Sequence, residues 1–260
     1  MERYDTALIL GYGRSGRAAE RMLRAEGGET LVLTSETAGD PEVFQALEDY
    51  DFEVCIVSPG FGLSHPWIRA VRDAGVPLLS ELELGWSRHR GKTIAVTGSN
   101  GKSTAVKWIH EALVAAGKRS AIGGNYGVPA CEVVLEHPEL EWLVLEVSSF
   151  QLETVQEFHA DVAVILNVLP NHLDRHDTMT VYRETKARIF GPAAAPSGVC
   201  VVSADLLDEL KADVEGARDW VTFGAADGAE YRYADARIFR GLDPVLDLSG
   251  TLFASPTIGA

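Results

Sequence analysis

Apolar and polar positions alternate in short blocks through the first 90 residues, in the order strand, helix, strand. Apolar runs that predict strands lie at 6–11, 30–35, 52–58 and 76–80. Segments with helical spacing lie between them, at 15–27, 41–50 and 65–75. Repeated strand–helix–strand units of this kind are typical of a parallel sheet covered by helices. The pattern therefore predicts an α/β fold with a Rossmann-like parallel-sheet domain over residues 1–90.

A second series of strands and helices follows a polar, basic stretch at 87–92, and we predict the domain boundary there. Its predicted strands lie at 93–98, 141–149, 161–168, 198–204, 219–224 and 231–239. Helices are predicted from Lys102 onward and over 181–191. This second series predicts an α/β ATP-binding domain of the P-loop type over residues 91–260.

Composition limits the kinds of partner. The chain of 260 residues is 46% hydrophobic and has a formal net charge of -15, which disfavours nucleic acid and requires a local site for any anionic ligand. No apolar run reaches the roughly 18 to 20 residues that span a bilayer, so we expect a cytoplasmic protein without a membrane partner. Cys55, Cys131 and Cys200 lie far apart in the sequence, which favours buried, reduced thiols.

The first glycine-rich turn, Gly11-Tyr12-Gly13-Arg14-Ser15-Gly16, has the G-x-G-x-x-G spacing of dinucleotide-binding folds. Such folds also place an acid at the end of the second strand, where it holds the ribose hydroxyls. Here Thr34 and Ser35 occupy that end, and Glu36 follows too late. The turn alone leaves open NAD(P), another nucleotide diphosphate, or a purely structural role.

The second glycine-rich turn, Gly98 to Thr104, joins a predicted strand to a predicted helix. Gly101-Lys102-Ser103 is the tail of the phosphate-loop pattern G-x-x-x-x-G-K-[ST], but the first glycine of that pattern is replaced by Val96. Backbone amides at such a turn bind phosphate oxygens, the lysine neutralises the transferred phosphoryl group, and the hydroxyl binds Mg²⁺. An ordinary strand-to-helix turn is the alternative.

Three polar residues follow predicted strands of the second series. Asn125 lies in the turn GGNYG, Glu146 ends a very apolar strand, and His172 follows another apolar strand, two residues before Asp174. A carboxylate in apolar surroundings is costly unless it binds a metal or a cation. If these strands are parallel, Glu146 and His172 project from the carboxyl edge, where open α/β sheets bind ligands.

Lys186 has unusual neighbours. Helical spacing places it on the same face as Tyr182, Ile189 and Phe190. One interpretation is a lysine whose ammonium reaches water along an apolar surface. The other is a desolvated amine of depressed pKa, able to react with CO₂ and form a metal-bridging carbamate.

Taken in order, GSNGKST, GGNYG, LEVSSFQLE, NVLPNHLDRH and YRETKARIF resemble the motifs of the Mur ligases of peptidoglycan synthesis, and LEVSSFQLE and SPGFGLSHP resemble most the branch that adds D-glutamate. The phosphate loop of that family has the short form found here. The resemblance implies a monomeric ligase that uses ATP, two Mg²⁺ ions and a carbamylated lysine to join D-glutamate to UDP-N-acetylmuramoyl-L-alanine through an acyl phosphate.

The resemblance also implies roles for individual residues. Lys102, Glu146, His172 and Lys186 are the implied catalytic residues. ATP is expected at Gly98, Ser99, Asn100, Gly101, Lys102, Ser103 and Thr104. Mg²⁺ is expected at Ser103, Glu146, His172 and the carbamate of Lys186. The UDP-sugar is expected at Gly13, Arg14, Ser15, Thr34, Ser35, Ser58, Pro59, Gly60, Asn125 and His172.

Two departures limit the resemblance. Asn171 stands where relatives often have an aspartate, so an uncharged amide precedes His172 here. These ligases have three domains, and the sequence is expected to lack the amino-acid-binding domain and to be inactive by itself. A nucleotide-binding module without turnover, another Mur-type or folylpolyglutamate-type ligase, and a nicotinamide-dependent oxidoreductase are the alternative functions.

Overall fold

The computed structural model describes residues 3–36 and 39–251. Its first sheet contains four parallel strands, β1 (Thr6–Leu10), β2 (Glu29–Leu33), β3 (Val54–Val57) and β4 (Leu78–Ser80), in the order β2-β1-β3-β4. The helices of this part are α1 (Arg14–Ala25), α2 (Asp40–Asp49), α3 (Pro66–Asp73) and α4 (Glu81–Arg88). The predicted Rossmann-like alternation of strands and helices is confirmed.

A second sheet of nine strands follows. Its strands are β5 (Lys92–Thr97), β6 (Ser120–Gly124), β7 (Trp142–Glu146), β8 (Val162–Ile165), β9 (Val199–Ser203), β10 (Asp219–Gly224), β11 (Tyr231–Ala234), β12 (Arg237–Arg240) and β13 (Asp243–Asp247). The order is β13-β12-β11-β10-β9-β8-β5-β7-β6. Pairing is parallel from β6 through β11, so the carboxyl ends of β5, β7 and β8 meet at one edge.

Short helices surround the second sheet. They are α5 (Lys102–Ala115), α6 (Ala130–Glu136), α7 (Ser149–Leu152), α8 (Leu173–His176), α9 (Met179–Ala187) and α10 (Leu207–Asp213), with 3-10 turns at Arg188–Phe190 and Ala204–Leu206. One core cluster includes Ile9 and Leu82 from the first part together with Ala130 and Leu143 from the second. The two sheets thus lie on either side of residue 91 and share a continuous core; the division into domains at that point stays a prediction.

The segment 231–239 differs from the strand predicted for it. Asp235 and Ala236 adopt left-handed backbone conformations, with φ of 49° and 56°, and reverse the chain. The residues on either side form the antiparallel hairpin of β11 and β12, in which Ala234 pairs with Arg237. A hairpin turn with positive φ at both central residues usually carries glycine or asparagine. The Asp-Ala pair here lacks that sequence signal.

The three cysteines are buried and reduced, as predicted. Cys55 lies in β3, Cys200 in β9, and Cys131 in α6 between the two sheets. Burial raises the pKa of each thiol, that of Cys200 to about 11. Over residues 3–36 and 39–251, no helix has both the length and the apolar character needed to cross a membrane.

A buried carboxyl joins the two parts of the fold. Glu81, at the start of α4, is 2% exposed and accepts a 2.7 Å hydrogen bond from the backbone N–H of Cys131 at the start of α6. Its other oxygen, Oε2, is buried without a hydrogen-bond partner. Burial is the main reason that the pKa of Glu81 rises from 4.5 to about 7, and the nearby Glu132 adds to the shift. The carboxyl is therefore protonated in the folded protein at moderately acidic pH.

Replacing Glu81 with glutamine should stabilise the protein at alkaline pH and change little at pH 5. Because the folded pKa of about 7 exceeds the unfolded value of 4.5, the folded state holds one more proton between these values, and the free energy of unfolding falls as pH rises through that window. The difference at pH 8.5 should reach about 3 kcal/mol. Denaturant unfolding from pH 5 to 8.5 measures it, with Glu48→Gln, an exposed change on α2, as the control. Parallel pH profiles for wild type and Glu81→Gln would contradict the expectation.

Candidate active site

The turn between β5 and α5 has the geometry of a short phosphate loop. Gly98 and Gly101 take positive φ values of 156° and 82°, which side-chain-bearing residues rarely adopt. Val96 is fully buried within β5 and pairs with Glu146 of β7 and Val164 of β8. The position that would hold the first glycine of the longer pattern therefore belongs to the sheet, and the loop begins two residues later.

The loop is fixed to the segment that follows β8. Ser99 donates its backbone N–H to the carbonyl of Asn167 at 3.1 Å, and Asn100 donates to the side-chain oxygen of Asn167 at 2.9 Å. The Ser99 hydroxyl donates to the carbonyl of Leu169 and accepts from its N–H, at 2.9 and 2.8 Å. Gly101 gives α5 no side-chain cap, so the first N–H groups of that helix face the loop without one. These contacts fix the backbone of the loop in one conformation before any anion binds.

Lys102 folds back over this loop. Its Nζ donates to the carbonyls of Gly98 and Ser99, at 2.9 and 3.2 Å. Partial burial lowers the pKa of Lys102, while the charge of Glu146 acts in the opposite direction. A cation held against its own loop by neutral acceptors can turn to phosphate oxygens, which are stronger acceptors.

Glu146 connects the phosphate loop to the turn after β6. One carboxylate oxygen accepts the Ser103 hydroxyl and the other accepts the Asn125 side-chain amide, both at 2.7 Å. The Asn125 backbone N–H donates to the Glu146 carbonyl at 2.8 Å. Glu146 is 3% exposed and forms no ion pair with any residue in the described part of the chain. Ser103 and Glu146, which the resemblance assigns to one metal, are thus in contact, and Asn125 joins them.

This donor set fits a magnesium ion. Mg²⁺ takes oxygen ligands and is usually held by one or two carboxylates, water and substrate phosphates rather than by a cage of side chains. Ser103 and Glu146 supply a hydroxyl and a carboxylate beside the loop, and Glu146 has no cation partner of its own among the described residues. Nowhere in residues 3–36 and 39–251 do three or more His, Cys, Asp or Glu side chains converge as metal ligands. The described side chains would therefore supply only some of the ligands of a magnesium ion.

Lys186 is buried on the apolar face of α9, as its spacing predicts, and does not reach water. It is 1% exposed, and its Nζ lies 3.2 Å from the Gly98 carbonyl, 3.4 Å from the Thr97 hydroxyl, and 4.5 Å above the centre of the Tyr182 ring. Burial lowers the pKa of Lys186 to about 7, and the positive charge of Lys102 contributes. A substantial fraction of this amine is neutral, and therefore nucleophilic, near pH 7.

His172 lies at the start of α8 and is exposed. It has a left-handed backbone, with φ of 53°, and its ring meets the edge of Phe150 at 4.9 Å. Phe150 also stacks on His176 at 5.7 Å, and His176 packs 5.1 Å from Tyr182. Lys186 and His172 are thus linked through three rings and not by a direct contact. The expectation that both bind one metal stays a prediction.

The UDP-sugar residues predicted in the first part lie at the carboxyl ends of β1, β2 and β3. Gly11 turns the chain with φ of 90°, and the Ser58 hydroxyl donates to its carbonyl at 3.1 Å. Thr34 and Ser35 follow β2, Pro59 and Gly60 follow β3, and Gly13 and Ser15 lie at the start of α1. Arg14 reaches across to the second part, where it donates to the Gly127 carbonyl at 2.6 Å. This contact ties the first glycine-rich turn to the turn GGNYG, which also contains Asn125.

Sequence reasoning missed Arg175 and its partners. Arg175 forms two hydrogen bonds with Glu153, at 2.9 and 2.6 Å, and also donates to the carbonyls of Pro59 and Phe61, at 2.9 and 2.8 Å. His176 is missed as well; it is 3% exposed, and its Nε2 lies 3.0 Å from the Ser149 hydroxyl. Burial lowers the pKa of His176. The motif around His172 contains both residues, but two of Arg175's acceptors are backbone carbonyls, which the sequence does not reveal.

The parallel sheets and the short glycine loop place the chain in the P-loop class of α/β proteins. The Mur ligase middle domain matches residues 96–249. The chain belongs to the Mur ligase family. A chain named UDP-N-acetylmuramoylalanine–D-glutamate ligase, from Koribacter versatilis, is 36% identical over 72% of this chain and 45% of the relative. One of the same name from Geobacillus kaustophilus is 32% identical over 95% of this chain and 58% of the relative.

The chain thus spans about half the length of the curated relatives it matches. Among solved structures it is similar to UDP-N-acetylmuramate:L-alanyl-gamma-D-glutamyl-meso-diaminopimelate ligase from Neisseria meningitides. That similarity has a TM-score of 0.56 and 15% identity, and covers 92% of this chain and 85% of the other. It shows that the fold is shared.

Proposed function

We propose that this chain supplies the ATP and UDP-sugar sites of a ligase that joins D-glutamate to UDP-N-acetylmuramoyl-L-alanine. The observation that carries the proposal is the network of Ser103, Asn125 and Glu146 beside Lys102, at the carboxyl edge of the second sheet. Arg14 of the first glycine-rich turn donates to the carbonyl of Gly127, two residues after Asn125. The names of the relatives support the choice of sugar and amino acid. The phosphate loop supports ATP as the source of the phosphoryl group.

On the ATP side, the loop from Gly98 to Thr104 binds the phosphates. Lys102 leaves the carbonyls of Gly98 and Ser99 to contact the β- and γ-phosphates, where its charge offsets the charge that the transferred group carries. Ser103 and Glu146 would hold a first magnesium ion, and His172 with a carbamate on Lys186 would hold a second. Magnesium ions, when bound, reduce the repulsion between the substrate carboxylate and the phosphoryl group.

On the sugar side, the three turns of the first sheet bind the UDP group. The proposed contacts are Gly13, Arg14, Ser15, Thr34, Ser35, Ser58, Pro59 and Gly60, with Asn125 and His172 nearer the reacting carboxylate. Asn125 is fixed by Glu146 through both its side chain and its backbone, so it is oriented before the substrate arrives.

The proposed reaction has two steps. An oxygen of the substrate's terminal carboxylate attacks the γ-phosphorus of ATP. The bond between that phosphorus and the β-phosphate oxygen breaks, ADP departs, and the substrate is now an acyl phosphate. The amine of D-glutamate then attacks the acyl carbon, phosphate departs with the electrons of the acyl–oxygen bond, and the ammonium loses a proton to solvent or a nearby base. Lys102 holds the phosphoryl group during the first step, and Asn125 orients the carboxylate.

Titration calorimetry with UDP-N-acetylmuramoyl-L-alanine and with NADH tests the sugar site. We expect the UDP-sugar to bind and NADH to give no heat, because Thr34 and Ser35 replace the ribose-binding acid. Gly13→Ala should weaken sugar binding by about tenfold or more, since a methyl group there meets no protein atom within 4 Å but occupies the path of the pyrophosphate. Gly228→Ala, which is equally unobstructed and lies in the turn before β11, is the matched control. Tight NADH binding without a response to the UDP-sugar would contradict the proposal.

A further inference from the structure

Arg175 connects three separate segments of the chain. Its guanidinium pairs with Glu153, donates to the Pro59 and Phe61 carbonyls in the turn after β3, and lies 4.3 Å above the Phe150 ring. The side chains of Arg175 and Glu153 are 17% and 8% exposed. The rigid fork of a guanidinium can serve several acceptors in one plane, whereas a lysine ammonium cannot.

The helix that carries Arg175 is a single turn between two residues with positive φ. His172 precedes α8 with φ of 53°, and Asp177 follows it with φ of 62°. The Arg175 N–H donates to the His172 carbonyl at 3.1 Å, so the two residues belong to one hydrogen-bonded turn. A displacement of the turn after β3 that moves Arg175 therefore also moves His172.

The two ends of this connection lie at different parts of the proposed site. The residues at 58–60 are proposed to contact the UDP group, and His172 is proposed to act at the reacting carboxylate, where the nucleotide phosphates must also lie. We propose that Arg175 is a positioning residue that couples occupancy of the UDP-sugar cleft at Ser58–Gly60 to the placement of His172. The inference rests on the proposed function. This coupling makes the UDP-sugar and the nucleotide bind cooperatively, since each ligand favours the same arrangement of α8 and the turn after β3.

A thermodynamic cycle tests the coupling. The affinity for UDP-N-acetylmuramoyl-L-alanine is measured with and without a saturating non-hydrolysable ATP analogue and Mg²⁺, in the wild type and in Arg175→Lys. In the wild type the nucleotide should tighten sugar binding by about 5-fold or more, the lower range of typical coupling between sites. In Arg175→Lys both ligands should still bind, and the coupling factor should fall to about 1.

Arg183→Lys is the matched control. Arg183 lies at 21% side-chain exposure and pairs with Asp213 and Glu209, all within the second part of the fold. The Arg183→Lys variant loses a comparable set of guanidinium hydrogen bonds, none of which involves the turn after β3. Its coupling factor should therefore equal that of the wild type. Equal coupling in Arg175→Lys and the wild type, or a wild-type factor near 1, would overturn the inference.

Hydrogen exchange separates this inference from the proposed function. In the protein without ligands, the Phe61 N–H is bonded to the Ser58 carbonyl at 3.0 Å and the His65 N–H to the Gly62 carbonyl at 2.9 Å. Both amides should exchange faster in Arg175→Lys than in the wild type, and their exchange rates should be unchanged in Arg183→Lys. Unchanged exchange in both variants overturns the positioning role whatever binds. Absence of sugar and nucleotide binding in every variant overturns the proposed function, and the coupling with it.

Discussion

Replacing Lys186 with alanine should reduce ligase activity by about a thousandfold or more. Burial, and after it the positive charge of Lys102, lowers the pKa of the Lys186 amine to about 7. When the neutral amine attacks CO₂, a carbon–nitrogen bond forms as one carbon–oxygen π bond opens onto oxygen. The nitrogen then loses a proton to solvent, and the neutral side chain becomes an anionic carbamate that Lys102 attracts. Loss of a metal-binding anion costs about 4 kcal/mol in the transition state, which corresponds to the expected factor.

Two measurements test the role of Lys186. Carbon-13 NMR of the chain in labelled bicarbonate should show a carbamate signal in the wild type and none in Lys186→Ala, while Lys107→Ala, an exposed change on α5, keeps the signal. Ligation is assayed in a protein extended to the full length of the relatives, where a small carboxylic acid should restore part of the activity of Lys186→Ala. An unchanged NMR signal or full activity in that variant would end the idea.

Replacing Lys102 with alanine should weaken binding of the ATP analogue and Mg²⁺ by about 10- to 100-fold. A hydrogen bond to a charged group contributes about 1.5–3 kcal/mol, and this chain has no excess of positive charge to compensate, since its net charge is -15. Among the described residues, the hydrogen bonds of Lys102 go to the neutral carbonyls of Gly98 and Ser99, so its loss should change stability little.

Calorimetry with the ATP analogue measures the effect, and thermal unfolding checks that Lys102→Ala is folded. Lys107→Ala removes the same charge from an exposed position of the same helix and serves as the control for long-range electrostatics. If both variants bind nucleotide equally well, Lys102 is not the residue that contacts the phosphates.

The main features of the fold could be predicted because strand and helix periods differ strongly in this chain. Helix α4 was missed, and the reason is physical: Glu81 and Glu83 are each 2% exposed, so charged residues occupy core positions and hide the apolar face. Their carboxylates accept backbone N–H groups from Cys131, Gln156 and Glu157, which makes such burial tolerable. Hydropathy alone cannot distinguish these two glutamates from surface residues.

The polar residues at the sheet edge were predictable for a different reason. Parallel strands place their carboxyl ends together, so Glu146 could be expected at the edge where β5 ends, and the resemblance implies Ser103 beside it. The contact of Asn125 with Glu146 was not predicted. Arg175 could not be expected in this way. Two of its acceptors are carbonyls more than a hundred residues away, at Pro59 and Phe61, and any residue type presents a carbonyl.

The three buried cysteines can serve as separate chemical probes of unfolding in three regions of the structure. Only the thiolate reacts with alkylating reagents, and burial of Cys55, Cys131 and Cys200 suppresses both its formation and its access. Brief alkylation during unfolding, measured by peptide mass spectrometry, would therefore show when each region opens. Cys55 reports on the first sheet, Cys131 on helix α6 between the two sheets, and Cys200 on the second sheet. Simultaneous labelling would mean that the core of the first sheet, which holds Cys55, opens together with the continuous core that holds Cys131 and Cys200. Staggered labelling would give the order in which they open.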